Sequence, residues 1–162
     1  MGGVTDRPVV VALGSNLGDR AAHLQYAVDR LHGLLSGLRV SRVHETTPVG
    51  MAGKQRPVLN AVAVGRSSLP AATLLENLLG IEAERGRERP HPGAARTLDL
   101  DLILCGDEIV EATGRVSLRV PHPRFRERAF VLDPLVEIAP DLRDPVTGRT
   151  IRELHAALHR PT

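Results

Sequence analysis

Residues Arg96 to Leu104 read R-T-L-D-L-D-L-I-L, and no other stretch restricts the fold as tightly. Side chains alternate along a strand, so Leu98, Leu100 and Leu102 share one face and Asp99 and Asp101 the other. The leucine face requires a core to cover it. The aspartate face carries two carboxylates about 7 Å apart and pointing the same way. Such anions repel unless a cation stands between them, and hard oxygen donors suit Mg²⁺ carrying nucleotide phosphates. On this run alone, a half-exposed strand with a solvated acidic face is an equally good reading.

Periodicity supplies the elements around that strand. Pro8 to Leu13 (PVVVAL) is a β-branched run ending at Gly14, a buried strand followed by a turn. Asp19 is placed to cap a helix with Leu24, Val28, Leu31 and Leu35 on one side, stopped by Ser36 and Gly37. Leu38 to Glu45 reads as a strand, 46–57 as a Pro- and Gly-rich loop, and Val58 to Gly65 as another strand. Ser67 and Ser68 are expected to cap a helix reaching about Arg85, with Gly86 closing it. A second loop spans 87–95. After the Leu98 to Leu104 strand come a hairpin (107–113 with 116–120), a short helix at 126–132, the Pro-rich DPLVEIAPDLRDP and a last helix at 150–159. The leading order β-α-β-β-α-β is that of a ferredoxin-like split βαβ unit. The expectation is therefore an α+β fold with a mostly antiparallel sheet and helices packed on it.

Composition bounds the alternatives. With 162 residues, 42% of them hydrophobic, the chain reads as one domain, 1–162, that needs no disulfide or structural metal. No apolar run approaches the roughly 18 residues of a membrane span, and the start lacks the pattern of a leader, so a cytoplasmic protein without membrane association is expected. The net charge is only +2, but Lys54 is the sole lysine and the other cations are arginines, suited to forked contact with phosphate oxygens. They cluster: Arg85, Arg87, Arg89 and Arg96 in one stretch, Arg119, Arg124, Arg126 and Arg128 in another. Phosphate is the ligand this distribution suggests.

Three further features can bear chemistry. Glu82 falls within the apolar face defined by Leu74, Leu75, Leu78, Leu79 and Ile81, where a carboxylate is costly unless paired; it either binds an Arg or a ligand, or the helix turns it to solvent. Gly14-Ser-Asn-Leu-Gly-Asp19 joins strand to helix and could offer amides to an anion, although it is no P-loop. His122, between Pro121 and Pro123, could donate to phosphate or act as an acid. Cys105 reads as a small hydrophobe. The absence of H-E-x-x-H, C-x-x-C pairs and G-x-S-x-G removes zinc-hydrolase and α/β-hydrolase readings.

Taken in order, G-S-N-L-G-D-R (14–20), T-T-P-V-G (46–50), L-N-A-V (59–62), L-L-x-x-L-x-x-I-E-x-x-x-G-R-x-R (74–89), R-T-L-D-L-D (96–101), V-P-H-P-R (120–124) and R-A-F-V-L-x-P-L (128–135) resemble the 6-hydroxymethyl-7,8-dihydropterin pyrophosphokinases of folate biosynthesis. The resemblance runs from about Val9 to Pro140. It implies a monomer with a ferredoxin-like α+β fold that moves the β,γ-pyrophosphoryl group of ATP onto the pterin hydroxymethyl oxygen and releases AMP. By that resemblance Asp99 and Asp101 hold two Mg²⁺ ions. Arg87, Arg89, Arg96, His122 and Arg128 contact ATP, with Arg87, Arg96 and His122 serving the chemistry, and Glu82 lies on the nucleoside side. Thr46, Pro48, Val49 and Asn60 line the pterin pocket, and Phe130 stacks on the ring. Two departures stand out. Val58 occupies the position where the family usually has Tyr or Phe, and the loop R-P-H-P-G-A-A-R (89–96) is about one residue short and lacks the usual R-W-G-P.

Two rivals belong to other classes. A Mg-dependent nucleotidyltransferase also pairs G-S with D-x-D, but at about a dozen residues rather than from Ser15 to Asp99. A non-catalytic RNA-binding module on the same kind of sheet needs exposed aromatics, of which Tyr26, Phe125 and Phe130 are the only candidates. No nucleic-acid partner is expected.

Overall fold

The computed structural model describes residues 5–46, 57–86, 97–114 and 117–160. Its main sheet is built from β1 (Arg7–Ser15), β2 (Ser36–Val40), β3 (His44–Thr46), β4 (Val58–Ser67) and β5 (Asp99–Cys105). The order is β2-β4-β1-β5, with β3 also paired to β4, and every pairing in it is antiparallel. Counting β2 and β3 as one interrupted strand, this is the expected split βαβ arrangement. The interruption has a local cause at Ser41: its amide donates to the Val62 carbonyl (2.9 Å) while its hydroxyl accepts from the Val62 amide (3.0 Å), replacing a ladder bond with a side-chain bond.

Helices cover both faces. On one, α1 (Arg20–Leu34) and α2 (Ala71–Glu84) bury Leu24, Ala27, Leu31, Leu74, Leu78 and Ile81 against Val11, Leu13, Leu98, Leu100 and Leu102. On the other, α3 (Ala129–Ile138) and α4 (Ile151–Leu158) bury Val131, Leu132, Leu135, Ile151 and Leu154 with Phe125 against Val10, Val62, Val64, Ile103 and Leu104. A register shift between Val10 and Val11 lets Ile103 and Leu104 both join this second cluster, which is why the alternation of β5 stops at Leu102. Beside the sheet, β6 (Val110–Ala112) pairs with β7 (Leu118–Val120), the expected hairpin in shorter form.

Asp19 caps α1 as expected, its carboxylate accepting from the Ala22 amide at 3.1 Å. That bond takes up one of the amides at the start of the helix. At α2 the expectation is corrected: the N-cap is Pro70 with no side-chain cap, because Ser67 belongs to β4 and its hydroxyl accepts from Leu69. Gly86, at φ 76°, closes the helix as anticipated. The helix expected at 126–132 is instead a 3-10 turn at Phe125–Glu127 followed by α3, which continues through Pro134 to Ile138. Burial of Val131, Leu132, Pro134 and Leu135 outweighs the amide that proline lacks. Thr150 and Glu153 form a reciprocal capping box at the start of α4.

Asp144 organises the segment between α3 and α4. Fully buried, it takes a forked contact from Arg126 (Nε 2.5 Å, Nη2 2.8 Å) and bonds from the Thr147 hydroxyl and the Val146 amide.

Candidate active site

The register of the sheet assembles the site's floor. Asn60, Gly14 and Asp99 are direct cross-strand neighbours on β4, β1 and β5, and Val62, Ala12 and Asp101 form the adjacent row. Both rows face the α3/α4 side; Val62 and Ala12 belong to the apolar layer those helices bury, and the Asn60–Gly14–Asp99 row is the next one along the strands. Strand spacing separates Asn60 from Asp99 by about 10 Å. Between them Gly14 carries no side chain: a Cβ there would point onto this face in ordinary contact, 3.5 Å from Asn60 Oδ1 and 3.7 Å from Val58 Cγ1. At one side of Gly14, Asn60, only 6% exposed, donates from Nδ2 to the Thr46 hydroxyl at 2.7 Å. At the other, Asp99 and Asp101 are half-buried while Leu98, Leu100 and Leu102 are in the core, as the alternation required.

The acidic strand is held from behind. β5 is an edge strand, and its outward Leu100 amide donates to Glu82 Oε2 at 2.6 Å. Glu82 is 5% exposed, so the alternative that the helix turns it to solvent is wrong. Sheet geometry supplies the reason: an unpaired edge amide needs an acceptor, and the buried carboxylate needs a donor. Ser15 Oγ donates to the Thr97 carbonyl (2.5 Å) and Thr97 Oγ1 to the Arg85 carbonyl (2.9 Å). The residues flanking 87–96 are thereby joined to one another next to Asp99.

His122 enters from the β5 edge, its amide donating to the Ile103 carbonyl at 2.9 Å. Its Nδ1 accepts from the Arg124 amide at 3.2 Å, which leaves Nε2 as the donor in the neutral ring. Burial pushes the imidazole below its ordinary value of 6.5, Arg128 and Arg124 add to this, and Asp99 pulls the other way. The ring is thus an uncharged donor at neutral pH, within the fields of both Asp99 and Arg128. Arg128 caps α3 and its guanidinium lies 5.5 Å from the ring centroid of Phe130, which is 38% exposed. A groove of about 260 Å³ opens beside β5, lined by Leu75, Asp101, Leu102, Leu118, Arg119 and His122 among others.

Not all the arginines serve this site. Arg126 is committed to Asp144, Arg119 to Glu111 (2.8 Å), and Arg85 to His23 and the face of Tyr26. The phosphate reading of the clusters therefore narrows, among the described residues, to Arg124 and Arg128. Pro48, Val49, Arg87, Arg89 and Arg96 lie outside the described residues. Cys105 is buried, and burial pushes its thiol up to about 11, which fits a packing role.

The family model for 7,8-dihydro-6-hydroxymethylpterin-pyrophosphokinase (HPPK) matches residues 10–140. The chain belongs to this family. It is a pyrophosphokinase, an ATP-dependent diphosphotransferase of folate biosynthesis. Among relatives, the 2-amino-4-hydroxy-6-hydroxymethyldihydropteridine pyrophosphokinase of Synechocystis sp. is 42% identical over 146 residues, 90% of this chain and 73% of that protein. The enzyme of the same name from Pseudomonas aeruginosa is 42% identical over 151 residues, covering 92% and 90%. The fold is that of solved Plasmodium falciparum HPPK-DHPS chains: wild type with pteroate superposes with TM-score 0.70 at 14% identity, over 94% of this chain and 42% of that one. A triple mutant with STZ-DHP gives 0.77 at 13%, over 97% and 44%. The chain thus spans under half the length of those solved chains.

Within the HPPK frame, sequence reasoning missed the place of Gly14 in this row, the Ser15–Thr97–Arg85 bonds and the groove beside β5. The G-S motif carried the first two signals, because a glycine at a strand end marks close approach and a following serine can tie a neighbouring strand. The groove joins residues far apart in sequence and had no local signal.

Proposed function

We propose that the open end of the α3/α4 face is where this HPPK-family protein brings ATP and 6-hydroxymethyl-7,8-dihydropterin together. One observation carries the reading: Asn60, Gly14 and Asp99 share a cross-strand row, giving a polar anchor, a position without a side chain and a carboxylate in sequence. The pterin lies toward Asn60 and Thr46, with Pro48 and Val49 beside it and Phe130 over the ring. Adenosine lies in the groove at Leu75, Leu102 and Leu118, on the Glu82 side of β5, so the triphosphate runs past His122 and Asp101 toward Asp99.

Two half-buried carboxylates on one strand face, all oxygen and with room for phosphate, fit Mg²⁺, which takes one or two carboxylates and fills its shell with phosphate and water. Asp99 and Asp101 are the residues that hold it, as two ions. Bound there, Mg²⁺ supplies charge neutralisation for the triphosphate. His122 donates an uncharged hydrogen bond from Nε2 to phosphate oxygen, while Arg128, Arg87, Arg89 and Arg96 add guanidiniums. The pterin hydroxymethyl oxygen forms a bond to the β-phosphorus and releases its proton to solvent as the bond to the α-bridging oxygen breaks, and AMP leaves with that oxygen. Such a transfer asks for alignment and charge compensation more than for a strong base. Glu82 acts by fixing β5 at the Leu100 amide. The protein works as a monomeric single domain in the cytoplasm; no helix among the described residues is long and apolar enough to cross a membrane.

The rival readings have less support. Phe125 is buried and the Arg85 guanidinium stands over the Tyr26 ring at 4.6 Å, which leaves little aromatic surface for a base-stacking platform. The test counts ions: Mn²⁺ titrated by electron paramagnetic resonance with a non-cleavable ATP analogue is expected to bind at two per chain. Asp99→Ala or Asp101→Ala should remove at least one. Unchanged Mn²⁺ binding in both variants would overturn the assignment.

A further inference from the structure

We propose a second metal site, for a borderline divalent ion such as Zn²⁺, formed by Asp133 on α3 and His155 and His159 at the end of α4. The three ligand atoms lie within 4.8 Å of one another, the one such cluster of His, Cys, Asp and Glu among the described residues. His155 Nε2 is 3.0 Å and His159 Nε2 2.7 Å from the same oxygen, Asp133 Oδ1. The two rings stand 4.6 Å apart between centroids.

Several features distinguish this from a hydrogen-bonded staple. The histidines are four positions apart, the spacing that puts two imidazoles on one helical face toward a single ion. Both ring nitrogens aim at one oxygen, although a carboxylate offers two and separate acceptors would satisfy two donors better. Ligands on a tetrahedral ion with bonds of about 2.0 Å are about 3.3 Å apart, so from 3.0 and 2.7 Å the rings need to draw back from the carboxylate by only a few tenths of an ångström to admit the ion. All three side chains are partly exposed, at 31%, 48% and 37%, so an ion can enter from solvent.

Chemistry selects the ion. Two imidazoles and one carboxylate suit Zn²⁺ and its neighbours, whereas Mg²⁺ requires oxygen donors. On binding, each neutral ring carries its proton on Nδ1 and gives Nε2 to the ion, and water completes the shell. The site ties α4 to the helix that carries Phe130, three positions before Asp133. It shares no residue with the proposed Mg²⁺ site and stands independently of it.

The experiment is calorimetric titration of the whole protein with ZnCl₂ in excess Mg²⁺, alongside His155→Ala, His159→Ala and Asp133→Asn. One Zn²⁺ per chain at micromolar affinity is expected, weakened at least tenfold in each variant, with a rise in melting temperature on zinc addition that the variants lose. A crystal grown with zinc should give one anomalous peak among the three side chains. His159 is half-exposed at the helix end, so its alanine variant keeps the fold, and its Mg²⁺-dependent turnover should equal that of the wild type. No zinc binding by the wild type, or binding undiminished in the variants, overturns the proposal.

Discussion

The α3/α4 face of the sheet is one surface with two ends of opposite character. At the covered end Val10, Val62, Val64, Ile103 and Leu104 lie under Val131, Leu132, Leu135 and Ile151, a dry packed layer. Two to four residues further along the same strands, the positions facing the same way are Asp101, Asp99, Gly14 and Asn60. The β1–β4 pairing runs unbroken across the boundary and the β1–β5 pairing crosses it with one register shift; the side chains and the extent of the helices change. The scaffold's rigidity is thus generated at one end, and the site proposed at the other end has its two carboxylates on a strand rather than on a loop.

Substitutions at the two ends should separate stability from turnover. The greatest change is expected at Asp101→Ala or Asp99→Ala: turnover falls by at least about a thousandfold, roughly 4 kcal/mol of barrier, while the melting temperature stays within a few degrees. Activity near that of the wild type in either variant breaks the distinction. At the covered end Ile103→Ala should do the reverse, costing about 3 kcal/mol of stability in urea unfolding while the remaining folded protein keeps its turnover rate.

Asp144 sharpens the same contrast. Burial pushes its carboxyl up, but the Arg126 guanidinium, the Thr147 hydroxyl and the Val146 amide outweigh that and hold it below its ordinary 3.8. Its contribution is therefore fully present above that value and is lost as pH falls through the lower folded value. Asp144→Asn should cost about 3 kcal/mol at pH 7 and flatten the stability profile in the acid range below about pH 4. An acid profile identical to the wild type's would show that the Arg126 contact contributes nothing.

Smaller effects belong to the open end. Gly14→Ala meets only ordinary contacts in the protein, so stability should hold or rise slightly, whereas a methyl group at this position should reduce turnover about tenfold, read as kcat/KM. Phe130→Ala should weaken the pterin by about 1 kcal/mol and ATP less, as titration of each substrate can compare. The opposite order would move Phe130 from the pterin to the nucleotide.

What the sequence disclosed follows the same boundary. Alternation in L-D-L-D-L placed both aspartates, because a two-residue period is fixed by strand geometry whatever lies around it. The order of elements was equally legible, since each strand and helix carries its own apolar period. Helix α3 was not, because Pro134 reads as a breaker and only packing against β4 overrides it. Nor was the division of labour among arginines: Arg126 and Arg128 look alike two residues apart, yet one meets a buried carboxylate from residue 144 and the other lies over the Phe130 ring. Glu82 announced that it needed a partner, but that the partner is the Leu100 amide depends on which strand forms the sheet's edge.

The reaction at the open end of the sheet is tested most directly by its nucleotide product. Protein mixed with ATP, Mg²⁺ and 6-hydroxymethyl-7,8-dihydropterin should release AMP, at a rate that falls to background when the pterin is omitted. ADP as the product, or no turnover by folded protein, would contradict it.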